Sequence, residues 1–350
     1  MKIAVLVSGG VDSSVALKLL KDQGHDLTAF YLKIWLEDEL SFLGNCPWEE
    51  DLEFVQKVCS QLDVPFKVVS MQDEYWDKVV SYTIAEVKAG RTPSPDLFCN
   101  KNIKFGCFYD HIGDEFDKVA TGHYAQIEEL NGFFNLKKAA DSFKDQTYFL
   151  SHLNQKQLGK AMFPIGHLKK SEVRDLAKKF DLPNQARKDS QGICFLGKIK
   201  FNEFIKHHLG IKKGDLIEFE TGNKLGEHEG FWYYTIGQRK GLGLSGGPWF
   251  VVAKDTTKNI VYISSNYFAP DKKRDTFTVS DFNWISGKLP EKTKLQTKIR
   301  HGEHLYDCDV KFLDNNTATV KLEACDQGLA PGQFAVFYDG DICLGCGVIN

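Results

Sequence analysis

The chain reads VLVSGGVDSS from Val5 to Ser14, and the class of fold turns on that stretch. Ile3 to Val7 is an apolar run with the look of a buried strand. Ser13 to Gln23 has helical spacing and is stopped by Gly24. Two glycines, three serines and one acid lie in or beside the turn between them. Bare backbone at a strand-to-helix junction lets several N–H groups converge on an anion, and the helix N-terminus adds partial positive charge. Ser8, Ser13 and Ser14 can add hydroxyl donors, and Asp12 could face a metal or a ribose-phosphate. The turn is not a Walker loop, because it lacks the G-x-x-x-x-G-K-[ST] order and its lysine. A plain turn capped by Ser or Asp is the competing reading; the complete string after a first strand weighs against it.

Outward from this loop the pattern alternates. Leu27–Trp35 reads as a second strand, and Glu49–Leu62 carries Leu52, Val55, Val58, Cys59 and Leu62 at helical spacing. Phe66–Ser70 follows as a strand, Glu74–Lys88 as a helix closed by Gly90, and Lys118–Thr121 as a short strand. This order predicts a parallel sheet covered by helices on both faces. AQIEELNGFFNLKKA then alternates about Asn131-Gly132, a hairpin signal, and Ser171–Phe180 is a short helix. From Phe201 the composition changes: a helix, Phe201–Leu209, leads into short β segments with glycine-rich turns. PDKKR (Pro270–Arg274) reads as a linker, and the remainder as an all-β, closed or nearly closed small barrel. The expectation is an α/β fold in three domains: residues 1–200, a small central mixed/β domain over 201–270, and a C-terminal β-barrel over 271–350.

Composition narrows the setting. The 350 residues carry a formal net charge of -3, so no global charge announces nucleic acid. Basic clusters nevertheless occur at Lys198/Lys200, Lys206–His208, Lys212/Lys213, Arg239/Lys240 and Lys272–Arg274. Singly such clusters are usually solvated faces; their concentration around the central segment favours phosphate contact. No stretch approaches the roughly 20 apolar residues of a membrane span, and the N-terminus has no signal-peptide pattern. A cytoplasmic protein without a membrane partner is expected, and nine scattered cysteines then read as reduced thiols.

Two further stretches hold candidate chemistry. GRTPSPDLFCNKNIKF (Gly90–Phe105) is predicted as an extended loop held by Pro93 and Pro95. It presents Asp96 and Cys99, with Lys101 and Lys104 close enough to lower a thiol pKa. KDSQGICFLG (Lys188–Gly197) supplies Cys194 in another irregular segment. Either cysteine alone reads equally well as a small buried hydrophobe. GLGLSG (Gly241–Gly246) matches G-x-G-x-x-G outside any βαβ unit, and CLGC (Cys343–Cys346) lacks partners for a four-ligand site and reads as a barrel strand, so no metal site is expected.

SGGVDSS resembles the pyrophosphate loop of the PP-loop ATPase (adenine-nucleotide alpha-hydrolase) superfamily. Together with PDLFCN, SQGICF, ATGHYA, KDQTYFL, GQRKGLG and APGQ, it makes the whole chain resemble the tRNA-specific 2-thiouridylases. The resemblance implies a sulfurtransferase that uses ATP, with Mg2+, to thiolate the wobble uridine of tRNA. It implies that the uracil 2-carbonyl oxygen is adenylated and persulfide sulfur passes to C2, releasing AMP and pyrophosphate. It places the catalytic pair on Cys99 and Cys194, joined by a transient disulfide that a reductant reopens, with Asp96 as acid/base. ATP contacts fall on Val7, Ser8, Gly9, Gly10, Val11, Asp12, Ser13, Ser14, Leu32 and Gly122. The target-base loop falls on Ser94, Pro95 and Asp96, with serine and leucine (Ser94, Leu32) where many relatives carry asparagine and methionine. Contacts to tRNA fall on His123, Lys144, Asp145, Gln146, Arg300, His301 and Gln333. A sulfur-relay protein fed by a cysteine desulfurase is the implied donor. Two other readings stay open: another PP-loop adenylating ligase or synthetase, and a non-catalytic ATP-responsive RNA-binding protein.

Overall fold

The computed structural model describes residues 1–34, 48–188 and 200–350. Its first sheet is built on β1 (Lys2–Leu6), whose alternation divides the interior. Ile3 and Val5 face one apolar core and Ala4 and Leu6 another, as a two-residue period requires. With β2 (Asp26–Lys33), β3 (Phe66–Ser70), β4 (Lys118–Ala120) and the short β7 (Ala161–Met162), the order is β3-β2-β1-β4-β7, all parallel. Helix α1 (Val11–Asp22), α2 (Trp48–Leu62) and a later helix, Lys170–Lys179, pack the Ile3/Val5 side through Val15, Leu17, Val55, Val58, Val173 and Ala177. The opposite side is covered by two long helical runs, α3 over residues 72–88 and α4 over 95–112.

The expected parallel sheet is therefore present, with shifted boundaries. Helix α1 begins at Val11, two residues before the expected Ser13, and the described part of β2 ends at Lys33. The helix expected over Glu74–Lys88 starts at Gln72 and contains a π-helical turn at Trp76–Val80. One expectation fails outright: PDLFCNKNIKF is helical, not an extended loop. Proline lacks only an N–H that a first turn does not use, so Pro95 starts α4 and its restriction falls on Ser94 before it.

Helix α5 (Thr147–Leu150) and α6 (Gln155–Lys160) precede α7, the Lys170–Lys179 helix, and α8 (Phe201–Leu209) leads into the central unit. There β8 (Gly214–Glu218), β9 (Lys224–His228), β10 (Phe250–Asp255) and β11 (Ile260–Ser264) form a mixed sheet in the order β10-β11-β8-β9. GLGLSG lies in turns between β9 and β10. PDKKR is not a loose linker. Its Lys272 is buried against Glu220 (2.6 Å) and Asp271 (3.1 Å), and Arg274 donates to the carbonyls of Leu329 and Val252.

The last six strands are β12 (Thr276–Trp284), β13 (Lys294–Lys298), β14 (Tyr306–Phe312), β15 (Thr317–Leu322), β16 (Phe334–Asp339) and β17 (Ile342–Ile349). They close into a barrel through the β12–β17 pairing. Cys343 and Cys346 of CLGC are buried on β17, where the barrel-strand reading put them. The expected hairpin, β5 (Gln126–Leu130) and β6 (Phe133–Lys137), turns on Asn131 and Gly132, both at positive φ. It also does something unexpected: β6 pairs with β17 through Lys137–Ile342 and Leu136–Cys343, joining the first domain to the barrel. Among the described residues, no helix is long and apolar enough to cross a membrane.

Candidate functional site

Strand order reverses at β1, with β2 on one side and β4 on the other. In open parallel sheets the crevice beyond the carboxyl ends at such a reversal is where ligands bind. Both segments that leave this point are sequence-predicted: SGGVDSS follows β1, and Thr121-Gly122-His123 follows β4. Gly122 lies so close to the start of α1 that a Cβ there would sit 2.7 Å from the Ser13 nitrogen. Gly9, at φ +73°, leaves as little room: a Cβ would lie 2.6 Å from the Asp51 carbonyl oxygen. Only glycine fits such a crowded left-handed position. Ser13 and Ser14 turn inward, donating to the Gly10 carbonyl at 3.2 and 3.0 Å, while the Ser8 N–H donates to the Ser13 hydroxyl at 3.2 Å. Val7 and Val11 are buried props of the loop, and Leu32 lies partly buried on β2.

Four residues absent from the sequence reading complete this end of the sheet. Lys170, at the start of α7, donates to both Asp12 oxygens at 2.7 and 2.9 Å. Tyr124 donates its hydroxyl to Asp12 at 2.9 Å. Buried Asn184 donates to the Gly9 carbonyl and the Ser14 hydroxyl, both at 2.8 Å. Arg187 pairs with Asp51 beside Gly9. All four follow the loop by more than a hundred residues, so only the fold brings them to it. The helix-start pattern of LKKSEVR was the available signal for Lys170.

Cys99 lies on α4 and is 1 % exposed. Burial pushes its thiol up, and the proximity of Lys104 does not offset this, while the Asp96 charge adds to it and the Tyr75 hydroxyl opposes it. The expected lowering by nearby lysines is thus overturned: desolvation of a thiolate outweighs one partly buried cation. Lys101 is spent elsewhere, at 2.9 Å from His152 Nε2. Asp96 is half-buried one turn before Cys99. Cys194, and with it the expected Cys99–Cys194 pairing, lies outside the described residues, as does Lys198.

The segments expected to meet RNA converge on α5. The Tyr148 hydroxyl donates to the Phe334 carbonyl at 3.1 Å and is hydrogen-bonded to Ser94. The Thr92 N–H donates to the Pro331 carbonyl at 2.7 Å, which sets Thr92–Ser94 against the APGQ turn that holds half-buried Gln333. His301 is exposed and lies over Phe149, ring centres 4.5 Å apart. Lys144 is half-buried. The Gln146 side chain accepts from the Tyr124 N–H at 2.9 Å, and the Gln146 N–H donates to the Tyr124 carbonyl at 2.9 Å. Two residues of the expected set are interior. His123 lies near the Phe105 and Phe163 rings with its Nδ1 2.7 Å from the Thr121 hydroxyl, and burial holds its pKa well below the usual range. Asp145 accepts from Lys298 at 2.9 Å and is sealed from solvent. Arg300 stands apart, paired with Asp326 in an open cleft of about 350 Å³ between the central sheet and the barrel. Of the basic clusters, Lys212, Lys213, Arg239 and Lys240 are exposed, whereas the buried Lys272 is neutralised by its ion pairs.

Comparison with known proteins gives three consecutive family matches. Residues 1–198 match a tRNA methyl transferase HUP domain, 202–265 a tRNA methyl transferase PRC-barrel domain, and 274–349 an aminomethyltransferase beta-barrel domain. Whole-length relatives carry a different chemistry in their names. The tRNA-specific 2-thiouridylase MnmA of Parabacteroides distasonis is 48% identical over 355 residues, covering 100% of this chain and 99% of that protein. The enzyme of that name from Porphyromonas gingivalis is 47% identical over 360 residues, with 100% and 99% covered. Bacteroides fragilis has one, MnmA 2, at 46% with both chains fully covered. Among solved structures, the U34-tRNA thiolase NcsA of Methanococcus maripaludis, with its [4Fe-4S] cluster, aligns at a TM-score of 0.36 and 16% identity, over 60% of this chain and 65% of that one. That likeness is too distant to inform the chemistry here.

Proposed function

The chain belongs to the tRNA-specific 2-thiouridylase family, and from that premise we propose the course of its reaction. The protein is a tRNA sulfurtransferase that uses ATP to thiolate uridine. The proposed target is the wobble uridine. Its 2-carbonyl is a poor electrophile, so the oxygen is first adenylated and becomes a leaving group. The SGGVDSS amides and the α1 N-terminus would receive the pyrophosphate, preorganised donors aimed at developing charge.

Sulfur is proposed to arrive as a persulfide on Cys194, supplied by a relay protein. In one route the terminal persulfide sulfur bonds to C2, and the Cys99 thiolate then attacks Cys194 Sγ, breaking the S–S bond and releasing the 2-thiouridine. In the other, that attack on Cys194 Sγ comes first and the hydrosulfide it frees adds to C2. AMP departs, and the resulting Cys99–Cys194 disulfide is reopened by an external thiol reductant. Asp96 serves as acid/base one turn from Cys99. The raised Cys99 pKa fits a thiol kept protonated and sealed until the substrate rearranges its surroundings. A uridine in a folded anticodon loop must also leave its stack to reach such a site.

Mg2+ finds no cage among the described residues. No group of three or more His, Cys, Asp or Glu side chains there could hold a metal, and Asp12 is committed to Lys170 and Tyr124. The ion is therefore proposed to arrive with ATP as MgATP, held by no ligand set among the described residues.

The observation that carries the reading is Tyr124. Its hydroxyl holds Asp12 of the nucleotide loop while its backbone pairs with Gln146 of the segment proposed to meet tRNA. One residue thus ties the proposed ATP site to the proposed RNA site. The test is thiolation of unmodified tRNA by purified protein with ATP and a persulfide donor, read by mass spectrometry of nucleosides. Cys99→Ser and Cys194→Ser should each abolish 2-thiouridine while leaving ATP binding intact. Full thiolation by both variants would overturn the cysteine mechanism, and thiolation at another uridine the wobble assignment.

A further inference from the structure

The nucleotide loop has a charge problem that its sequence does not solve. Its only acidic or basic side chain is Asp12, at the second position of α1, where the helix end is expected to receive a polyphosphate. A lone carboxylate there would repel the ligand the backbone attracts. Lys170 answers it from across the fold. Its ammonium contacts both Asp12 oxygens at 2.7 and 2.9 Å, and its side chain is only 15% exposed. Its position is also set from behind: the Lys170 N–H donates to Asp141 at 2.8 Å, fixing the start of α7. Asp141 in turn accepts from the N–H groups of Phe143 and Lys144, so the lysine is tied to the turn that opens KDQ.

We propose that Lys170 is a phosphate-contacting residue of the nucleotide site. It supplies from α7 the cation that a G-x-x-x-x-G-K-[ST] loop carries within itself, with Asp12 and Tyr124 holding it at the mouth of the loop. The proposal rests on the ATP reading above and adds a ligand-binding residue to it. Among the described residues, Arg187 is a second cation beside the loop. Its guanidinium is paired with Asp51 and lies against Gly9, whereas Lys170 contacts Asp12 within the first turn of α1.

The test is calorimetric binding of ATP, inorganic pyrophosphate and adenosine to the full-length protein without tRNA. Lys170→Gln should weaken ATP and pyrophosphate binding about ten-fold or more, the scale of a charge-assisted hydrogen bond, with adenosine changed less than two-fold. Lys170→Arg should retain most of the affinity. Because Lys170→Gln strands Asp12, the Asp12→Asn/Lys170→Gln double variant provides the control. Continued weak pyrophosphate binding by that double variant supports direct contact. Restored affinity would mean that Lys170 only neutralises Asp12, and would overturn the proposal. So would unchanged pyrophosphate binding by Lys170→Gln, or a loss seen only in Arg187→Gln. Wild-type protein that binds neither ATP nor pyrophosphate would remove the nucleotide reading itself, and this proposal with it.

Discussion

Asp145 and Lys298 form an ion pair at 2.9 Å in which the two side chains are 2% and 5% exposed. One partner lies two residues before α5 and the other ends a barrel strand, so the pair crosses between the first and last parts of the chain. Asp145 also accepts from the Ala139 N–H and the Thr147 hydroxyl, and Thr147 lies 3.1 Å from the Tyr338 hydroxyl. Removing one member of such a pair strands the other charge at a cost of about 3–5 kcal/mol. Lys298→Met should therefore unfold at markedly lower urea than the wild type. The Asp145→Leu/Lys298→Met double variant should recover part of the loss. Equal midpoints for Lys298→Met and the wild type would show that the pair is not sealed in solution.

Stability should fall on mild acidification. Burial, with the Lys101 charge, brings the His152 pKa down to about 3, and burial holds His123 well below its usual value. An unfolded histidine titrates near 6.5, so below that pH the unfolded chain binds protons that the native state refuses. The stabilisation is complete above about pH 6.5 and is lost as pH falls toward 3. By pH 5 the loss amounts to about 2 kcal/mol for His152, and the buried His123 acts in the same direction. Urea midpoints measured from pH 7.5 to 5 should decline, and His152→Gln should decline less steeply. Parallel pH profiles would refute the assignment.

Gly122→Ala should separate nucleotide binding from folding. Its Cβ would lie 2.7 Å from the Ser13 nitrogen and 2.9 Å from the Asp12 carbonyl carbon, backbone atoms that cannot rotate away. The start of α1 must shift, at an overpacking cost of about 1–3 kcal/mol. ATP affinity should drop at least ten-fold while far-UV circular dichroism stays near wild type. Gly132→Ala, which meets only open space at the hairpin turn, should leave ATP affinity unchanged.

Affinity for tRNA should depend steeply on salt despite the acidic net charge. Lys212, Lys213, Arg239 and Lys240 are exposed, and each phosphate contact releases counterion. Lys212→Ala/Lys213→Ala should lower the slope of log K against log salt by about one to two. Lys272→Ala should instead lower stability, because that lysine neutralises Glu220 and Asp271. A salt-independent affinity would dispose of the electrostatic role.

Local patterns carried the reading of the fold further than that of the site. The β1–turn–α1 unit, the Asn131-Gly132 hairpin and the change of composition near Phe201 depend on short-range propensity, which a sequence displays directly. PDLFCN misled because proline argues equally for an extended approach and for a helical first turn, and tertiary packing decides between them. Cys99 misled because neighbouring lysines are visible in sequence whereas desolvation is not. The partners of Asp12 were illegible for a third reason. Lys170 and Tyr124 become neighbours of the loop only when β4 and α7 are laid beside α1.

The hydrogen bonds between β6 and β17 bear on how such a protein can be divided or exchanged. A barrel cut away near residue 271 would leave its hairpin behind on the first domain. Both pieces would then present unpaired strand edges, the usual start of edge-to-edge aggregation. The smallest portable module is thus discontinuous in the chain, made of the six-strand barrel together with residues 126–137 inserted among the elements of another domain. A recombination that swaps C-terminal segments alone would inherit half of an interface, and a chimera built by residue number would fail where one built by sheet continuity would fold.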